Sequence, residues 1–127
     1  MRMSAALRAV TAAAAEPAAV TPAGTAQSVL HALLPQIGAD GGALVLMDPQ
    51  TWLFTTGAVD RLPAASCHPF FRFEVDMPSP RAFRRLAATG AGAVALSRHG
   101  VDDGYAPAVL HPHGFADELR VVCRDAG

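Results

Sequence analysis

The chain has no lysine: all ten of its basic residues are arginine. With abundant alanine, glycine and proline, this is the usage of GC-rich codons, and it reports on the genome more than on chemistry. Charge of neither sign is concentrated. The net charge is −1, and the arginines are scattered apart from Arg81, Arg84 and Arg85, which read as the solvated face of a helix. Binding of nucleic acid by this segment itself would need a basic face, and none is evident. Cysteine is scarce. Cys67 and Cys123 stand far apart without framework spacing, at positions expected to be apolar, so buried free thiols and a reducing cytoplasm are the expectation. No apolar run approaches the length of a membrane span. Nor is there a glycine-rich phosphate loop, because Gly38, Gly41 and Gly42 precede a strand and do not open a helix.

What is present is a chain of 127 residues, enough for one domain with a single core. Much of its apolar fraction is alanine. Ser4 to Ala15 is expected to be helical on propensity alone. Its thin stripe of Leu7, Val10 and Ala14 suits weak packing or an oligomer contact. Arg8 and the lack of Leu, Ile or Phe in the alanine run argue against a targeting peptide. Pro17 and Pro22 make a short linker. A second helix from about Thr25 to Gln36 carries Ala26, Val29, Leu30, Leu33 and Ile37 as its core stripe, with Gly38 as a stop. Gly42 to Met47 and Thr51 to Val59 read as a hairpin about Asp48-Pro49-Gln50, with Trp52, Phe54 and Thr56 on one face.

From Pro63 to about Asp76 the period is helical, with Cys67, Phe70, Phe71 and Val75 inward and Pro69 tolerable only in the first turn. Ser79-Pro80 signals another helix, burying Phe83, Leu86 and Ala87 and ending at Gly90 and Gly92. Ala93 to Ser97 is a short strand, Arg98 to Gly104 a polar loop, and Tyr105, Ala108 and Val109 a short helix ended near Pro112. From Glu118 to Arg124 side chains alternate: Leu119, Val121 and Cys123 on a buried face, Glu118, Arg120 and Arg124 on a solvated one. Asp125-Ala126-Gly127 supplies turn residues for a hairpin whose returning strand is not in the sequence. The fold class expected is α+β: a mostly antiparallel sheet covered by helices, with an incomplete closing hairpin.

Several of these residues resemble a known family. They are Asp48-Pro49-Gln50-Thr51 followed by Thr55-Thr56-Gly57-Ala58-Val59, Leu62-Pro63 with Cys67-His68-Pro69-Phe70-Phe71, and above all the run from His113 to Arg120. They resemble the N-terminal GAF-like sensory region of actinobacterial LuxR-type transcriptional regulators, over about Gln27 to Gly127. The resemblance implies an N-terminal helix and linker (1–24) and a GAF-like sensory domain (25–127) truncated at its C-terminal side. It implies a non-catalytic signal-input role, by ligand sensing or dimerisation, with DNA binding in a helix-turn-helix domain that this chain lacks. A small-molecule effector and a homodimer are the partners implied, with no cofactor and no membrane. The alternative is a stand-alone protein-interaction module without a small ligand, joined through the open edge of the final strand.

Chemistry-bearing residues are sparse. Cys67 and His68 could be nucleophile and base, but neighbours on a helix point about 100° apart, and the pair reads as a buried thiol beside a surface imidazole. His99, Asp102, Asp103, His111 and His113 form a loose polar cluster without the tight spacing of a zinc site; no catalytic or metal residue is assigned. The large aromatics Trp52, Phe54, Phe70, Phe71 and Phe83 are the candidates for a ligand pocket, although a small alanine-rich domain is expected to need most of them for its core. Trp52 and Phe54 are the foremost of them. Glu118 and Arg120 read as an exposed charge ladder, and Asp117 as a carboxylate that fixes its loop through backbone N–H groups.

Overall fold

Alanine shapes the start of the chain, as its helix propensity requires. In the computed structural model, which describes residues 3–15, 21–76, 79–90, 92–99 and 103–124, helix α1 runs Met3–Ala14. The chain falls into two compact units, Met1–Leu62 and Pro63–Gly127. Within the first of these, α1 packs on the next helix. It does so through its smallest side chains: Ala6 and Ala13 are buried and Leu7 faces solvent.

Helix α2 spans Pro22–Ile37, three residues longer at its start than its apolar stripe suggests. The reason is local. Pro22 sits in the first turn, where a missing N–H costs nothing, and the Thr21 hydroxyl accepts the Gly24 N–H at 3.0 Å. Gly38 closes the helix in the left-handed region, φ 69°. Leu34 takes the place expected for Leu33 and Ile37 in the core: Ala26, Leu30 and Leu34 are buried and Ile37 is exposed.

Strands β1 (Gly42–Met47) and β2 (Phe54–Asp60) form an antiparallel pair. The α2-facing side of β1 begins at Gly42, where an added Cβ would stand 2.8 Å from Leu34 Cδ2. Between the strands, the Asp48 carboxylate accepts the N–H groups of Gln50 and Thr51, and Trp52 N–H returns to Asp48 O. Those backbone bonds hold Asp48 below the usual carboxylate range. Trp52 is thereby fixed in the left-handed region at φ 59°, outside the strand and off the face expected to hold it with Phe54 and Thr56.

The second unit is built of short pieces. A 3₁₀ turn, Ala64–Ser66, leads into helix α3 (Cys67–Phe71) and then a π-helical turn, Arg72–Asp76. Pro69 falls in the first turn of α3, the one place it is tolerable. The wider π turn rotates the inward face. Phe73 and Glu74 are buried, whereas Phe71 and Val75, expected inside, are exposed. Helix α4 (Phe83–Thr89) buries Leu86 and Ala87 and ends at Gly90, φ 77°. Strand β3 (Ala93–Ala95) passes into a single turn, α5 (Leu96–His99). A second π turn, Ala106–Leu110, a 3₁₀ turn, His111–His113, and strand β4 (Leu119–Val121) complete the unit. Its core joins Phe73, Leu96, Tyr105, Val109 and Leu110, with Phe70, Ala106 and Phe115 against them.

Among the described residues the fold is mixed helix and strand, with two small antiparallel sheets, β1-β2 in the first unit and β3-β4 in the second. Two further expectations are corrected. The thiols are free, but Cys67 is half-buried and Cys123 exposed. Of the arginine triplet only Arg84 and Arg85 are solvated; Arg81 precedes α4 and is buried. The terminal turn, Asp125 to Gly127, lies outside the described residues.

Candidate functional site

Strand β4 is short enough that its three side chains tell its orientation. Arg120 is 2% exposed, while Leu119 and Val121 are 62% and 50% exposed. The faces are the reverse of those the alternation suggests, and the exposed charge ladder is a buried one. The pattern Leu-Arg-Val has period 2 either way; which face turns inward depends on partners elsewhere in the chain.

Those partners form a closed ring. The Arg120 guanidinium donates from Nη1 to a Glu74 oxygen and to Arg81 O (2.7 Å), and from Nε to Glu118. Its carbon lies 4.7, 5.0 and 5.6 Å from the ring centres of Phe83, Tyr105 and Phe70, within cation–π range. Tyr105 donates its hydroxyl to Glu118 at 2.6 Å and meets Phe73 edge-on at 5.3 Å. The second oxygen of Glu74 accepts the Phe83 N–H at 2.9 Å, so this carboxylate caps the first residue of α4, where Ala82 has no capping side chain. Nearby, Arg81 pairs with Asp103, which also accepts the Tyr105 N–H. Asp103 Oδ2 is buried with no partner among the described residues.

Electrostatics follow from burial. Loss of water pushes the Glu74 carboxyl up, against the pull of Arg120. Burial alone would lower the Arg120 guanidinium, but Glu118 and Glu74 outweigh it and hold the cation more firmly charged. The Tyr105 hydroxyl is raised by burial and by the Glu118 charge, and stays a neutral donor. Burial also disfavours the Asp103 anion, yet the Ser79 hydroxyl, the Tyr105 N–H and Arg81 bring it below the usual range. The side chains leave no room between them for a water molecule.

Beside the ring, Asp117 fixes its loop as expected. Its Oδ1 accepts the N–H groups of Ser97 and Glu118, and Oδ2 the Ser97 hydroxyl at 2.6 Å. That hydroxyl, with the backbone bonds, holds Asp117 below the usual range. Among the described residues, strand β4 pairs on one side only. Leu96 N–H reaches Glu118 O and Val122 N–H reaches Gly92 O. By antiparallel alternation the N–H and C=O groups of Leu119 and Val121 point away from β3.

The candidate pocket aromatics divide between the units. Trp52 and Phe54 belong to the first, both half-buried at the hairpin loop. Phe70 and Phe83 come together in the second, around Arg120, and Phe71 stands edge-on to Phe70 at 5.3 Å. Within the first unit a separate apolar groove of about 410 Å³ lies between the start of α2 and β1, lined by Thr25, Ala26, Val29, Leu44 and Leu46 among others; it includes none of the five aromatics. Asp102 of the loose polar cluster lies outside the described residues. Among those described, no three His, Cys, Asp or Glu side chains converge, and no helix is long and apolar enough to cross a membrane. No protein-family model, curated protein or solved structure matches the chain.

Proposed function

We propose that this chain is a non-catalytic signal-input module, GAF-like in fold, of a transcriptional regulator of the LuxR type. DNA recognition is assigned to a helix-turn-helix region outside residues 1–127. The reading rests on the resemblance carried by the segment from His113 to Arg120, and one observation supports it. Asp117, Glu118 and Arg120 each anchor the second unit by hydrogen bonds to side chains of other elements. A segment used wholly to set the position of a strand is what an input module needs at the place where it passes on a signal. The expected cytoplasmic setting belongs to the same proposal.

A second reading, a protein-interaction module without a small ligand, is favoured by the exposed apolar face that Leu119 and Val121 give β4. Thermal-shift screening of the purified chain against a metabolite panel, with sedimentation velocity across concentrations, separates the two. A saturable stabilising ligand supports the input module. A concentration-dependent dimer with no ligand response supports the interaction module. Turnover of any panel compound sinks both.

A further inference from the structure

We propose that β4 is a movable strap whose position is transmitted to the N-terminus of α4 through Arg120. This inference deepens the input-module reading and rests on it, though the coupling is measurable whatever the module senses.

Three observations carry it. First, β4 is weakly held as a strand: three residues and, among the described residues, one ladder partner, with no backbone pairing on its outer edge. Two-stranded pairings of this size are marginal in water, so the backbone ladder by itself holds β4 in place only weakly. Second, its one buried side chain is Arg120. The strand is therefore fastened to its unit chiefly by a guanidinium rather than by apolar packing. Third, two of the three acceptors of that guanidinium lie outside β4 and its flanks, and both lead to α4. Arg81 O belongs to the turn before the helix. Glu74 holds Arg120 with one oxygen and the Phe83 N–H with the other.

A displacement of β4 toward or along its free edge draws Arg120 away from Arg81 O and Glu74. Left without its cation in a buried place, the Glu74 carboxylate turns toward water or takes a proton. Either change weakens its hold on the Phe83 N–H, and the first turn of α4 loses the cap that Glu74 supplies. A chain that adds to the free edge of β4 would thereby act on α4 without touching it. The partner is an extended peptide segment, which would pair with the outward N–H and C=O groups of Leu119 and Val121.

The test uses amide hydrogen exchange in the full chain, read by NMR. Arg120→Lys keeps a positive charge but lacks the fork that reaches Glu74, Glu118 and Arg81 O together. Glu74→Gln keeps a neutral group near Phe83 and removes the anion. Each single substitution is expected to speed exchange of the Phe83 amide about tenfold, the size of a lost cap. The double variant is expected to exchange no faster than the singles, since both cut one link; α2 amides stay unchanged. Three outcomes overturn the proposal. One is a Phe83 amide indifferent to Arg120→Lys. Another is a double variant about a hundredfold faster, which would make the residues independent. Uniform loss of protection across the second unit in Glu74→Gln also overturns it, by showing plain destabilisation instead of a directed link.

Discussion

Replacing Arg120 by methionine separates a buried ring from an exposed ladder. The guanidinium side chain is 2% exposed and its partner Glu74 4% exposed. Methionine fills much of the same space, so little cavity forms. What remains is a carboxylate without its cation and Arg81 O without its donor. Breaking a buried ion pair from one side costs about 3–5 kcal/mol. Leu119→Ala, a change at an ordinary strand residue two-thirds exposed, should cost about 0.5–1 kcal/mol because most of its apolar area is already in water. Urea unfolding needs two probes. Trp52 fluorescence follows the first unit, and exchange of the Leu86, Ala87, Val109 and Leu110 amides follows the second. The loss is expected in the second unit, with Trp52 unfolding at its original midpoint. A cost below about 1 kcal/mol for Arg120→Met, the range of exposed pairs, refutes the reasoning. So does a larger cost for Leu119→Ala.

Three other outcomes are expected. The contribution of Asp117, held below the ordinary carboxylate range, is present above that range and is lost as pH falls through its lowered value. Asp117→Asn should therefore flatten the acid side of the stability–pH curve measured by urea midpoints. Glu74 has the opposite sign: its carboxyl is raised by burial, so its favourable contribution is present at low pH and fades as pH rises through its folded-state value. Glu74→Gln should accordingly be better tolerated at pH 7 than at pH 4 in the same titration; a dependence of the other sign contradicts the assignment. In the first unit, a Cβ at Gly57 would stand 2.6 Å from the backbone oxygen of Leu44. Gly57→Ala should cost about 1–3 kcal/mol, seen as a lower urea midpoint of Trp52 fluorescence.

The long apolar stripes were legible. The Ala26, Leu30 stripe and Gly38 place α2, and Asp48-Pro49-Gln50 places the hairpin loop, because each depends on contacts within a few residues. Asp117 was legible for the same reason, since an aspartate in a loop bonds nearby N–H groups. The site was not. Arg120 meets Glu74 across 46 positions of sequence and Arg81 O across 39, and no spacing rule reports such a meeting. Nothing local distinguishes a strand that turns Leu119 and Val121 inward from one that turns Arg120 inward. The π turn over Arg72–Asp76 adds to the difficulty, because it shifts the buried face from Phe71 and Val75 to Phe73 and Glu74. Trp52 escaped its strand because the Asp48 loop forces φ to 59° there, a conformation that a bulky residue rarely adopts.

The claim that Arg120 is the buried hub of the second unit has a direct spectroscopic test. A ¹H–¹⁵N spectrum tuned to arginine side chains, recorded at pH 7 to 8, should show an Nε–H that exchanges slowly with water and vanishes in Arg120→Lys. That proton is donated to Glu118 from a guanidinium that is itself 2% exposed. An Arg120 Nε–H that exchanges as fast as those of exposed arginines such as Arg84 would contradict the account.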